Sequence, residues 1–252
     1  MTAKTASTFK IVRYWEVDTI RGLAIILMVY YHLMWNLTYF GVVQFSVTTG
    51  VWKWFARSIG ATFIFVLGVS LVLSYQRTGR QATFQKYLLR GSKVFTLGLV
   101  ITLATYFLFA QGFVVFGILH LLGFAIIATY PFLVSQQRWL TLNIGLLIIA
   151  VGIYLNDQAI AHPWLIWLGV KQIGRSMVDY YPVLPWLGVA LLGIVAGYTL
   201  YPKGNRIFTL PDQSDNYIVG TFSFLGRHSL LIYLIHQPVL NGLLTALGIG
   251  SL

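Results

Sequence analysis

The sequence contains no cysteine, which excludes disulfides, thiolate metal sites, cysteine nucleophiles and iron–sulfur clusters. Charge is scarce as well. Only 9% of its 252 residues are Asp, Glu, Lys or Arg, against about 25% in an average soluble domain. Acids are rarest, six against 17 basic residues, so carboxylate-based proton paths have little to be built from. The GxSxG turn of a serine hydrolase is missing, as are a Walker loop, a dinucleotide fingerprint and any visible internal or inverted repeat. What is abundant is apolar surface: 58% of residues are hydrophobic and the mean hydropathy is +0.77. That balance defines a polytopic membrane protein, and its length leaves no room for a large soluble domain beside the spans. The net charge of +11 is read as cytoplasmic-loop charge, with no nucleic-acid partner.

Runs of about 20 apolar residues predict an all-α membrane helix bundle of about seven transmembrane helices. The expected spans are Thr19 to Phe40, Phe55 to Tyr75, Ser92 to Phe109, Phe113 to Leu133, Leu140 to Leu155, Val183 to Tyr201 and Leu225 to Leu247. The first apolar run lacks a small-residue cleavage site, so it is expected to be a span and not a signal peptide. Basic residues sort to alternate loops. Lys4, Lys10 and Arg13, then Arg77, Arg80, Lys86, Arg90 and Lys93, then Arg138, then Lys203, Arg206 and Arg227 fall on one side. Only Lys53, Arg57, Lys171 and Arg175 fall on the other. This predicts a cytoplasmic N-terminus and an outside C-terminus. Residues 1–252 are expected to form a single transmembrane domain, with 1–14 a cytoplasmic tail, 156–182 an outer interfacial loop and 202–224 a cytoplasmic loop. The outer loop carries HPWLIWL, too short to span and suited to an interfacial or re-entrant piece anchored by tryptophans.

The stretch with the most chemistry is Glu16 to His32, EVDTIRGLAIILMVYYH. Asp18 and Arg21 are three positions apart and can pair on a helix. Arg21 and His32 are three helical turns apart on one face, roughly 16 Å along the axis. A polar stripe on an apolar helix must face protein or a water-filled cavity, and each intramembrane ionisable group is a candidate functional residue. Two further histidines fall within spans, His120 in GILHLLG and His236 in LGRHSLLIYLIHQPVL. Gly117 and Gly123 beside His120 permit close helix approach. Whether His32, His120 and His236 meet is not decided by spacing. They lack an acidic partner at their depth and an HxxH spacing, so no metal is expected. Three function classes remain: a membrane enzyme, a proton-linked small-molecule transporter, and a non-catalytic membrane subunit.

EVDTIRGLAIILMVYYH, FGILHLLGFAI, YYPVLPWLGVALLGIVAGY and LGRHSLLIYLIHQPVL, taken in order, resemble the transmembrane acyltransferases. The likeness is to bacterial relatives of the heparan-α-glucosaminide N-acetyltransferase catalytic domain, over about Arg13 to Leu240. The arginine, ten residues, histidine spacing of Arg21 and His32 also resembles that of inner-membrane O-acyltransferases acting on surface glycans. The resemblance implies acetyl-CoA as a cytoplasmic donor and an extracytoplasmic acceptor, a sugar amine or hydroxyl. It implies a place in the cell (inner or plasma) membrane, with the lipid bilayer as a partner. His32 is the implied catalytic residue, with His120 and His236 as further catalytic candidates. Asp18, Arg21 and Arg90 are the implied donor-binding residues, and Lys93 and Arg227, which cluster by sequence at the same cytoplasmic span ends, complete the expected donor-binding set. An acetyl-histidine intermediate and direct transfer both remain open, as does oligomeric state, a homodimer included.

Overall fold

A computed structural model describes residues 14–108, 112–174, 177–213 and 215–249. Nine α-helices occur among them: α1 Trp15–Tyr39, α2 Gly50–Thr78, α3 Phe84–Leu108, α4 Ile118–Ala128, α5 Tyr130–Ser135, α6 Arg138–Asn156, α7 Val183–Leu200, α8 Tyr217–Arg227 and α9 Ser229–Ala246. Six of these, α1, α2, α3, α6, α7 and α9, are long and apolar enough to cross a membrane. They recur where six of the seven apolar runs predict them. The protein is therefore an all-α, multi-pass membrane bundle.

The remaining run, Phe113 to Leu133, is not one continuous helix. It begins in irregular chain and folds as α4 and α5, which meet at Thr129. Pro131 stands in the first turn of α5. Proline lacks the N–H that would continue the ladder, and its ring crowds the preceding turn, so the helix restarts there. The hydroxyl of Thr129 donates to the Ala125 carbonyl at 2.7 Å, occupying an acceptor at the end of α4.

The chain divides into two compact units: Met1–Val43 with Pro211–Leu252, and Gln44–Leu210. In the first, α1 packs against α8 and α9. Residues 217–224, expected within the 202–224 cytoplasmic loop, are helical and belong to α8. Asn216 starts that helix: its side-chain oxygen accepts from the N–H groups of Ile218 at 3.0 Å and Val219 at 3.3 Å. Two N–H groups that a helix start leaves without partners are thereby satisfied. The chain turns at His228 and continues as α9.

In the second unit α7 packs between α2 and α6, while α3 packs on α4. Glycines set how closely these helices approach. A Cβ at Gly68 would meet the Ala190 carbonyl, one at Gly193 the Phe65 carbonyl, and one at Gly123 the backbone of Phe95 and Gly91. Small residues at such crossings let backbones touch, the main source of helix association where both alternatives are apolar. Leu71, Val72, Ile126, Leu133, Leu191 and Ile194 fill the buried centre. The 156–182 connection holds a two-residue parallel pairing, β1 Ala159–Ile160 with β2 Lys171–Gln172, around a 3₁₀ turn Pro163–Leu168. Trp164 and Trp167 of that turn are exposed, whereas Ile166 is buried.

Candidate active site

The first unit begins with the Arg-Gly pair. Gly22 lies against the Phe222 carbonyl of α8, and Gly226 of α8 lies against the Asp18 carbonyl of α1. The contacts run in opposite order along the two helices, so α8 lies antiparallel to the start of α1. Thr19 and Ser223 share a hydrogen bond at 2.9 Å in the same seam. Glycine after Arg21 is thus a packing requirement. It leaves Asp18 and Arg21 on the adjoining face, paired at 3.2 Å as the spacing predicts. Arg227, exposed in the last turn of α8, follows Gly226 and so stands at the same end of the unit.

Two to three turns further along α1, His32 meets His236 of α9. Their ring centroids are 4.7 Å apart and the planes cross at 66°. Each ring is held from within its own helix. His32 Nδ1 is 2.9 Å from the Met28 carbonyl, and His236 Nδ1 is 2.6 Å from that of Tyr233. A carbonyl oxygen only accepts, so Nδ1–H donates in both rings. In a neutral imidazole the other nitrogen then carries the lone pair. Both rings therefore present Nε2 as a proton acceptor. His236 is 7% exposed, and its buried Nε2 has no hydrogen-bond partner among the described residues. An orphaned buried acceptor is costly, and it marks a place where a polar ligand atom would be stabilised.

One turn beyond the pair lies a feature not anticipated from the sequence. Asn36 is 1% exposed. Its side-chain amide donates to Gln237 Oε1 at 3.2 Å and to Asn241 Oδ1 at 3.0 Å. The signal was present: three amides in otherwise apolar helices, Asn36 four residues after His32 and Asn241 five after His236.

The other sequence-derived candidates lie in the second unit. Arg90 and Lys93 are exposed on α3. His120 is buried in the first turn of α4, with Gly98 of α3 against the ring. Its Nδ1 accepts from the Gly117 N–H at 3.1 Å, so the proton sits on Nε2, 3.4 Å from Thr102 Oγ1. This tautomer is opposite to that of His32 and His236, and both of its nitrogens face partners from its own unit. Asp179 joins the same cluster by accepting from the Ile118 N–H at 3.2 Å, where the start of α4 favours an anion. Tyr180 beside it donates to the Ile166 carbonyl at 2.6 Å, and burial pushes its phenol up to about 12. Among the described residues no group of three or more His, Asp or Glu stands together as a metal site.

The fold and these geometries define a multi-pass membrane protein with an internal imidazole pair and an Asp–Arg ion pair at the start of the same helix. Residues 13–238 match the family model described as heparan-alpha-glucosaminide N-acetyltransferase, catalytic. The match takes in nearly the whole chain, and the protein belongs to that family: in general class it is a membrane acetyltransferase. No curated protein and no solved structure matches it.

Proposed function

We propose that the protein transfers an acetyl group from acetyl-CoA on the cytoplasmic side to an extracytoplasmic sugar hydroxyl or amine, in the plasma membrane. The observation that carries this reading is the His32–His236 pair, with each Nε2 free to accept a proton, on the helix that begins with Asp18 and Arg21. The family supports acetyl-CoA as donor. CoA phosphates call for cations, and a guanidinium suits them because its fork can bind two oxygens at once. Arg21, oriented by Asp18, and Arg227 serve this part in the first unit. Arg90 and Lys93 on α3 stay donor-binding candidates by charge alone. The distance from Arg21 to His32 along α1, roughly 16 Å, suits an extended pantetheine arm between bound phosphates and a reacting thioester.

In the proposed step His32 Nε2 takes the proton of the acceptor O–H or N–H as general base. The acceptor oxygen or nitrogen bonds to the thioester carbonyl carbon, and the C–S bond breaks. The departing thiolate takes the proton back from the imidazolium, leaving CoA thiol and acetylated acceptor. His120, with both nitrogens engaged, is assigned to holding α3 and α4 together. Excess basic charge on the loops beside α2, α3 and α8 supports the cytoplasmic donor side.

Proteoliposomes test this reading. Labelled acetyl-CoA supplied on the face bearing those basic loops should acetylate glucosamine held on the opposite face, with unlabelled CoA released on the donor face. Label remaining wholly on the donor face, or no CoA release, would contradict it.

A further inference from the structure

We propose that Asn36, Gln237 and Asn241 form the acceptor-binding ledge of this site, and that it reads an uncharged polyhydroxylated ring. The inference rests on the acetyl-transfer reading above and assigns that site its second substrate. Asn36 uses its amide N–H groups to hold the side-chain oxygens of Gln237 and Asn241. That fixes which end of each amide faces Asn36. The amino ends of Gln237 and Asn241 must point elsewhere, because the oxygen and nitrogen of an amide lie on opposite sides of its carbon. Both side chains are half-buried, and nothing among the described residues accepts from their amino groups. Beside them His236 holds its buried, unpartnered Nε2. The site thus combines amide donors with imidazole acceptors on adjoining turns of two adjacent helices.

Open amide groups within the span of a membrane helix are expensive against lipid, so they belong to a protein or water-lined surface that a polar ligand can occupy. Apart from the two histidines, α1 beyond Gly22 and all of α9 carry no acid and no base. A charged acceptor would find no counter-ion on these helices. A neutral sugar ring fits: its oxygens accept from Gln237 and Asn241, and its hydroxyls donate to imidazole Nε2. The same contacts would hold a reacting hydroxyl, or an amine in its neutral form, beside the base.

The experiment uses the full-length protein in detergent at a pH above the pKa of the sugar amine, with acetyl-CoA as donor, D-glucosamine in its neutral form as acceptor and water as the competing acceptor. Gln237→Ala and Asn241→Ala each delete one donor group and leave Asn36 its other bond. Each should raise the KM for glucosamine about three- to tenfold, the size of one lost hydrogen bond. The KM for acetyl-CoA and the thermal shift given by CoA should stay at wild-type values, so that the effect falls on the acceptor constant alone. Gln237→Asn, which keeps an amide, should recover part of the loss. If both variants left the glucosamine KM unchanged, or changed donor and acceptor constants in the same proportion, the amides would be interhelical ties only and the ledge would be wrong. Wild-type protein that hydrolyses acetyl-CoA but is indifferent to glucosamine would overturn the sugar assignment alone. Wild-type protein that neither binds CoA nor cleaves acetyl-CoA would overturn the transfer reading and the ledge with it.

Discussion

Gly22→Ala should damage this protein more than any isolated loss of a surface charge. An alanine Cβ at position 22 would sit well inside contact distance of the Phe222 carbonyl, and the obstacle is backbone that no rotamer change can move. Overpacking a close-packed contact costs about 1–3 kcal/mol, and a backbone obstacle puts this site at the upper end. At 2–4 °C per kcal/mol for a chain of this size, a loss of about 3 kcal/mol lowers the melting temperature by roughly 6–12 °C. The consequence reaches the imidazoles, because α8 continues through His228 into α9, which carries His236. A shift of about 1 Å in reacting groups can cost on the order of 10²-fold in rate. Gly242→Ala is the matched control. It lies inside α9 with nothing within 4 Å of where a Cβ would stand. Alanine there should be neutral or stabilising, by up to about 1 kcal/mol from helix propensity. Thermal melts and acetyl-transfer rates for both variants in one detergent give the comparison. A Gly22→Ala protein with unchanged melting and turnover would refute the claim that the Arg-Gly pair is there for the α1–α8 seam.

Further outcomes follow from other parts of the molecule. Arg21→Ala should weaken CoA binding by about 10- to 100-fold, the range for charge-assisted hydrogen bonds, as measured by the CoA-dependent thermal shift. Asp179→Ala removes the acceptor for the Ile118 N–H at the start of α4 and should cost about 1 kcal/mol in thermal stability, with little change in the KM for acetyl-CoA. Tyr180 has its pKa raised from 10.0 to about 12, so the neutral phenol is favoured in the folded state. Its contribution to stability is fully present below pH 10 and is lost as pH rises towards about 12. Melting curves between those values should fall less steeply for Tyr180→Phe than for wild type.

Helix content was legible because an apolar run near 20 residues has few alternatives in a membrane, and six such runs recur as continuous helices. The break in the fourth run was readable too, had Pro131 been given priority over hydropathy. Helix α8 was hidden differently. Residues 217–227 follow a polar, turn-rich segment and are too few to span, and their partner is the beginning of α1, some 200 positions away. Periodicity cannot disclose a contact of that separation. The Asp18–Arg21 pair was predictable because it is local, at i and i+3. The meeting of His32 with His236 was not, since it depends on how α9 returns to α1. His120 is the converse case. In sequence it resembles the other two intramembrane histidines, and only its bonds to Gly117 and Thr102 separate it from them.

The central claim is that His32 is the base of an acetyl transfer and that donor binding lies apart from it, at Arg21. The most direct measurement compares His32→Ala with wild type in the same preparation, following both acetyl transfer to glucosamine and the melting shift given by CoA. The predicted result is transfer reduced by at least about 10²-fold, with the CoA shift intact. Normal turnover in His32→Ala would contradict the account.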